Sequence, residues 1–194
     1  MSASFRKEDV ALLMALPGES QGLFEQEKIP VIYTGIGKVN AAFAAADAIH
    51  RHKCKVIINL GTAGSSRFKT HDLVEVTTYV QRDMDISPLG FQKGETPFDP
   101  LPGAIELIPY FPELSKGICG TGDSFETGKP AVECDLVDME GFAIAKVCRR
   151  LGVQFISLKY ITDGADDQAH KDWEANLVPG AKKLLEYYRK MVGQ

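Results

Sequence analysis

The sequence predicts an α/β fold in which helices cover a sheet. Short apolar runs with strand character alternate along the chain with stretches of helical character, an order that is typical of layered α/β proteins. The composition is 44% hydrophobic and 25% charged residues, as expected of a globular protein with a sizeable core. Because 194 residues are close to the size of one ordinary domain, we expect a single domain over residues 1–194.

Strands and helices can be assigned in chain order from apolar content, glycine and proline. The predicted strands are Val10–Leu16, Ile29–Thr34, Val56–Leu60, Leu73–Val80, Lys116–Thr121 and Phe155–Thr162. The predicted helices are a short one from Glu19, an alanine-rich one from Lys38 to about His52, one from about Gly141 to Leu151, and a last one ending near Met191. We expect Gly61–Gly64 to form a turn after its strand, and the proline-rich region 82–112 to be a long loop.

Charge and composition exclude several classes of protein. The net charge is −4, so no strongly basic field is available for a nucleic-acid partner. No apolar run approaches the roughly 18 residues that span a bilayer, and acidic residues precede the apolar run Val10–Leu16, unlike in a signal peptide. The four cysteines form no C-x-x-C pair, which favours reduced thiols and a cytoplasmic protein, and no metal site is expected.

Three carboxylates follow three different strand-like segments. They are Glu19, Glu140 and Asp163. Because the carboxyl ends of parallel strands meet at one edge of a sheet, neighbouring strands would bring all three together there. Such a group of carboxylates is suited to acid–base chemistry without a metal ion.

Glycine-rich turns provide further candidate binding positions. The run Gly35–Asn40 partly matches the G-x-G-x-x-G dinucleotide motif, but asparagine replaces its third glycine, so a dinucleotide-dependent oxidoreductase is a weak alternative. Gly61–Gly64 allows a ligand to approach the backbone closely. The run Gly120–Phe125 adds an aromatic ring on which a planar base could stack, although a phenylalanine at such a position is more often part of the core.

Taken in order, the motifs resemble the nucleoside phosphorylase/nucleosidase superfamily, and most closely the bacterial 5′-methylthioadenosine/S-adenosylhomocysteine nucleosidases. The matching runs are Gly35–Ala41, Asn59–Gly64, Gly122–Phe125, Val137–Glu140 and Ile161–Asp166. The resemblance extends from about residue 9 to the C-terminus. It implies a three-layer α/β/α sandwich around a mixed, mostly parallel sheet, here shortened near the N-terminus by the loss of an early strand hairpin. It also implies a homodimer that needs no cofactor.

The resemblance also assigns roles to individual residues. Asp163 matches the general acid that protonates N7 of the leaving purine, and Glu19 matches the carboxylate that activates water. Met139 and Glu140 match the ribose-binding pair, Phe125 matches the ring that stacks on the base, and the backbone of Glu126 matches the group that recognises the base edge. Further substrate contacts are expected from Leu16, Ile36, Thr62, Ala63, Gly64, Ser124 and Trp173.

The segment Asp83–Phe91 resembles the mobile loop that, in these nucleosidases, reaches the active site of the partner subunit. Ile86, Leu89 and Phe91 are therefore expected to line the partner's 5′-substituent pocket or the dimer interface. Apolar walls of this kind favour a thioether substituent over a phosphate.

Hydrolysis is favoured over phosphorolysis because Asn59 stands where phosphorylases of this superfamily have a phosphate-binding arginine, and the loop Pro17–Ser20 has none. We therefore expect a small-molecule purine nucleoside as substrate, methylthioadenosine or adenosylhomocysteine. Alternatives are hydrolysis of another purine nucleoside such as futalosine, a phosphorylase, and a non-catalytic nucleoside-binding protein. Two departures from the family are Lys159, where arginine is usual, and Glu126, whose side chain could accept from N1–H of a 6-oxopurine.

Overall fold

Eight strands form one mixed sheet in the computed structural model, which describes residues 4–126, 128–165 and 169–193. The strands are β1 (Val10–Met14), β2 (Val31–Tyr33), β3 (Val56–Gly64), β4 (Leu73–Gln81), β5 (Ala104–Glu106), β6 (Ser115–Thr121), β7 (Leu136–Asp138) and β8 (Gln154–Asp163). Strand β1 lies between β2 and β3 and is parallel to both. Strand β5 is an antiparallel edge strand on β4.

The middle of the sheet curls into a ring of five strands. Strand β8 is parallel to β3 and antiparallel to β4, while β6 is parallel to both β4 and β7. The ring closes where β7 pairs with β3 in antiparallel orientation, at Val137 and Gly64. The closure places Met139, the residue that follows β7, close to the end of β3, where the candidate site lies.

Helices cover both faces of the sheet, so the expected three-layer α/β/α arrangement is confirmed. They are α1 (Pro17–Ser20), α2 (Leu23–Gln26), α3 (Lys38–His52), α4 (Gly141–Leu151) and α5 (Ala169–Val192). Helices α3 and α4 pack against each other on one face, and α5 packs on β8 and β3 on the other. Within the described residues, no helix is both long and apolar enough to cross a membrane.

Two hydrophobic cores lie on opposite faces of the sheet. On the first face, α3 contributes Ala41, Ala45 and Ala48, whose spacing of three and four residues puts them on one side of the helix. Their small side chains let the helix approach the strands closely. On the second face, α5 contributes Leu184 and Met191, which are completely buried.

The bounds predicted for the helices Lys38–His52 and Gly141–Leu151 are confirmed. The expected turn at Gly61–Gly64 is wrong, because these residues continue β3 by pairing with β8. The first strand ends at Met14 rather than at Leu16, because Pro17 begins α1. No strand lies between β1 and β2, which agrees with the expected shortening near the N-terminus.

Two short strands were not predicted, β5 inside the proline-rich region and β7 before α4. Each has only three residues, too few to show the alternation that identifies a strand. The four cysteines are free thiols; Cys54, Cys119 and Cys148 are buried and Cys134 is half-buried.

Candidate active site

A cavity of about 250 Å³ opens where β3, β7 and β8 end. Most of the residues expected to contact a ligand line it, namely Leu16, Glu19, Ile36, Thr62, Ala63, Gly64, Ser124, Phe125, Glu126, Met139, Glu140, Asp163 and Trp173. Ile86, Leu89 and Phe91 do not; Leu89 is largely exposed, and Phe91 packs edge-on against Phe98. Their expected place is in the site of a partner subunit, which a single chain does not test.

Several residues of the cavity wall were not anticipated. They are Ala15, Arg82, Val137, Asp138 and Thr162. Arg82 directly follows β4, and its position after a strand was the available signal, since Glu140 and Asp163 were found by the same reasoning. The proline-rich composition of the region that begins at Arg82 predicts a loop and masks this signal.

Glu19 is buried, and four hydrogen bonds fix its carboxylate. Oε2 accepts from the backbone N–H of Ala15 at 2.9 Å and of Leu16 at 3.2 Å. Oε1 accepts from the backbone N–H and the hydroxyl of Thr62, at 2.8 and 2.9 Å. The indole Nε1–H of Trp173 in turn donates to the Thr62 hydroxyl at 3.0 Å. Four donors hold the carboxylate in place, and the Thr62 hydroxyl is the one that can rotate to free an oxygen for water.

Asp163 ends β8 beside Gly64, with its side chain buried against the cavity. Oδ2 accepts from the hydroxyl of Thr162 at 2.7 Å, and Oδ1 accepts from the backbone N–H of Ala165 at 3.0 Å. A Cβ atom at Gly64 would lie 2.5 Å from Oδ1, so glycine is required there for the carboxyl group to occupy its position.

Glu140 stands between β7 and α4 and accepts a hydrogen bond from the backbone N–H of Gly37 at 2.9 Å. Burial raises its pKa to about 7, and the adjacent Asp138 carboxylate adds to the rise, while Lys159 and the Gly37 amide oppose it. Lys159 is itself almost completely buried and pairs with Asp138 at 2.8 Å. Glu140 therefore changes charge near neutral pH inside the cavity wall.

The glycine turn before α3 serves this carboxylate rather than a pyrophosphate group. Gly37, whose φ of +93° favours glycine, donates its amide to Glu140. The next amide, that of Lys38, donates to Asp123 at 2.8 Å. Since carboxylates of the chain occupy both amides, the turn is not available to a dinucleotide.

A second buried ion pair lies beside the aromatic ring of the cavity. Arg82 Nη1 is 2.9 Å from Glu126 Oε2 and 3.1 Å from Ser124 Oγ. Phe125 stands between Ser124 and Glu126 in the chain and is half exposed at the cavity wall. The loop after β6 thus presents a flat ring next to a fixed positive and a fixed negative charge.

This arrangement has the parts that cleavage of a base–sugar bond requires. The reaction passes through a sugar cation, needs a proton on the leaving base, and needs a base for the attacking water. Besides Asp138, which is paired with Lys159, the buried carboxylates Glu19, Glu140 and Asp163 line the cavity, and an aromatic ring is available for a planar leaving group. Within the described residues, no group of three or more His, Cys, Asp or Glu side chains is placed to hold a metal ion.

Comparisons with known proteins identify the family of the chain. The family model of the phosphorylase superfamily matches residues 20–192. A 5′-methylthioadenosine/S-adenosylhomocysteine nucleosidase of Exiguobacterium is 30% identical over 177 residues, covering 79% of this chain and 75% of the relative. An aminodeoxyfutalosine nucleosidase of Helicobacter pylori is 28% identical over 193 residues, covering 90% of this chain and 84% of the relative.

Solved structures extend the agreement to the whole fold. The nucleosidase of Helicobacter pylori superposes with a TM-score of 0.85 at 24% identity, covering 97% of this chain and 99% of the other. The nucleosidase of Neisseria meningitidis, in complex with methylthio-immucillin-A, superposes with a TM-score of 0.81 at 25% identity, covering 94% and 97%. By its sequence and its fold, the chain belongs to the phosphorylase superfamily.

Proposed function

We propose that the chain is a purine nucleoside N-glycosyl hydrolase that releases the free base from a 5′-modified nucleoside, methylthioadenosine or adenosylhomocysteine. The observation that supports this most directly is the convergence of Glu19, Glu140 and Asp163 on one cavity. A protein that only binds nucleosides has no need of three buried carboxylates there. The curated relatives are nucleosidases, which act on bonds of this class.

Each carboxylate has a separate task in this proposal. Asp163 donates a proton to N7 of the base as the glycosidic bond stretches, while the base stacks on Phe125. Glu140, next to Met139, accepts hydrogen bonds from the ribose hydroxyls. Glu19 orients and deprotonates the water that attacks the sugar, after the Thr62 hydroxyl has turned away. The products are the free purine base and the corresponding free sugar.

Water is favoured over phosphate as the attacking group because the buried cations near the cavity are already paired. Lys159 is bound to Asp138 and Arg82 to Glu126, at 2.8 and 2.9 Å. Asn59 is buried, donates to the carbonyl of Leu13 at 3.1 Å, and is not part of the cavity wall. A phosphate dianion needs a free positive charge, and the cationic side chain in the described cavity wall, that of Arg82, is already paired with Glu126.

We further propose that residues 1–194 form a single domain, and that two copies of the chain form a homodimer in the cytoplasm. Val39 and Phe43 lie four residues apart on α3 and are 81% and 72% exposed, while Leu89 in the segment 83–91 is 75% exposed. Exposed apolar side chains on one face favour an interface with a second subunit. The four free thiols are typical of a reducing compartment.

The test is release of free base, separated by chromatography, from methylthioadenosine, adenosylhomocysteine, adenosine, inosine and futalosine, each with and without phosphate. We expect release that does not depend on phosphate. Release that requires phosphate would establish a phosphorylase instead. Binding without release from any of these nucleosides would favour the non-catalytic alternative.

Two conservative variants test the assigned roles. Asp163→Asn and Glu19→Gln keep the size of each side chain and remove its proton chemistry. We expect each to reduce kcat by at least about a hundredfold, as is usual for an acid or base, with substrate still bound. Turnover near that of the unaltered enzyme would remove the residue concerned from its role.

A further inference from the structure

We infer that Glu126 and Arg82 together select the base, and that the base of the preferred substrate is a 6-oxopurine of the hypoxanthine type rather than a 6-aminopurine. This inference rests on the proposed hydrolase function, and it replaces the adenine nucleosides named there by the corresponding hypoxanthine nucleosides as the preferred substrates of the same cavity. The evidence is the position, pairing and chemistry of the two charged side chains.

Both side chains belong to the cavity wall next to the stacking ring. The Arg82 side chain is only 4% exposed, and it runs across Gly122 so closely that a Cβ atom there would lie 2.8 Å from Cζ. Glycine at 122 therefore makes room for the guanidinium group. The Glu126 side chain is 21% exposed, and its residue directly follows Phe125 in the wall.

Arg82 is almost fully engaged in holding this loop. Nη1 donates to Glu126 Oε2 and to Ser124 Oγ, and Nη2 donates to the carbonyl oxygens of Ser124 and Gly122. The remaining donor, Nε–H, is buried and has no acceptor among the described residues. Because this atom is already buried by the chain itself, Arg82 acts on a ligand through the positive charge of its guanidinium group and through the carboxylate that it holds.

Glu126 is thereby fixed as an ionised acceptor. Its Oε2 accepts from Arg82 at 2.9 Å and its Oε1 accepts from the backbone N–H of Gly128 at 3.2 Å. The guanidinium group of Arg82 is thus the charged partner of this carboxylate. An ionised carboxylate can accept hydrogen bonds and cannot donate them.

The two classes of purine differ in what they offer to this acceptor. Along one edge of the base, N7, the substituent on C6 and N1 follow one another. Asp163 is assigned to N7. Glu126 directly follows the stacking ring in the loop after β6 and lines the same cavity, and we assign it to the N1 end of this edge. A 6-oxopurine has an N1–H there that donates to Glu126, and an O6 whose partial negative charge the nearby guanidinium group of Arg82 favours. Adenine has a lone pair at N1, which the carboxylate repels.

The test compares two substrates that differ only at the base, 5′-methylthioinosine and 5′-methylthioadenosine, by kcat/KM for base release. We expect the unaltered enzyme to prefer the 6-oxo substrate by at least about tenfold, because a site that hydrogen-bonds one group of its substrate discriminates against an analogue that lacks this group. Glu126→Gln should shift the ratio at least about tenfold towards the 6-amino substrate, because a glutamine amide can donate to adenine N1 and accept from its amino group. The control is Glu106→Gln, at an exposed position of β5, which should leave the ratio unchanged.

The outcomes separate recognition from mere support of the loop. An ion pair that only stabilises the loop predicts that Glu126→Gln slows both substrates equally, and an unchanged ratio would overturn the inference. Preference of the unaltered enzyme for the 6-amino substrate would also overturn it. If neither substrate is cleaved, the proposed hydrolase function fails. Calorimetric titration with free hypoxanthine and free adenine then tests the base preference by itself. Tighter binding of hypoxanthine supports the inference, and equal or tighter binding of adenine refutes it.

Discussion

Gly64 controls the position of the candidate acid. Its missing Cβ would lie 2.5 Å from Asp163 Oδ1 and 3.2 Å from the Cβ of Ala165. We predict that Gly64→Ala displaces the carboxyl group and lowers kcat about a hundredfold, the usual cost of a misplacement of about 1 Å. The measurement is kcat for Gly64→Ala, Asp163→Asn and the double variant. Because both changes act on one group, the double variant should be no slower than Asp163→Asn alone; losses that multiply would show that Gly64 acts elsewhere.

Glu140 makes substrate binding dependent on pH. Burial raises its pKa to about 7, so it is largely protonated at pH 6 and largely ionised at pH 8. Since the ionised form is the better acceptor for the ribose hydroxyls, we predict that KM rises as pH falls below about 7. Glu140→Gln, which is neutral throughout, should have a higher KM at pH 8 and lose this dependence. The check is KM from pH 5.5 to 8.5 for both proteins; an identical rise in the variant would assign the titration to another group.

The same residue should reduce stability at high pH. A carboxyl group whose pKa is higher in the folded than in the unfolded protein makes the free energy of unfolding fall as pH rises from about 4.5 to about 7. We therefore predict that Glu140→Gln is more stable than the unaltered protein at pH 8, by about 1–3 kcal/mol, and that the difference disappears near pH 4.5. Urea unfolding at both pH values measures it. A variant that is less stable at pH 8 would contradict the prediction.

At the scale of elements, the sequence predicted the features that local residues determine and missed those that depend on contacts between distant segments. The helices α3 and α4 were predictable because alanine content and a terminal glycine act locally. Gly61–Gly64 resembles a turn locally, yet pairing with β8 keeps it extended. Glu19 and Asp163 were predictable from their places after predicted strands, whereas β7, the strand before Glu140, was not predicted. The pairing of Arg82 with Glu126 was not, because it joins residues 44 positions apart.

The start of α4 is packed so closely that it leaves no space for a side chain at Gly141. Gly141 donates its amide to Asp138 at 2.9 Å, and a Cβ atom here would lie 2.1 Å from the ring of Tyr79, which is completely buried. We predict that Gly141→Ala destabilises the fold by about 2–4 kcal/mol, since neither the helix backbone nor the ring can move freely. The control is Gly18→Ala in α1, where the nearest atom is 3.7 Å away and the change in stability should be small. Equal melting temperatures for the two variants would contradict this account.

At the scale of the whole molecule, the curled sheet assembles a site from residues far apart in the chain. The closure between β7 and β3 brings Met139 and Glu140 next to the end of β3, while β8 places Asp163 beside Gly64. Glu19 reaches the same place because α1 folds back and Thr62 binds its carboxylate. In the proposed dimer, the segment 83–91 of the partner subunit would complete this cavity.

We expect the proposed dimer to be necessary for full activity. Phe43 is 72% exposed on α3, and Ile108, beyond β5, is 82% exposed. We predict that Phe43→Asp produces a folded monomer with kcat/KM at least about tenfold lower for a nucleoside with a 5′-thioether, because the partner's apolar segment is lost, whereas Ile108→Asp remains a dimer with unchanged kinetics. Sedimentation equilibrium, circular dichroism and steady-state kinetics on both variants test this. A folded Phe43→Asp monomer with full activity would show that one chain holds the complete site, and a Phe43→Asp dimer would place the interface elsewhere.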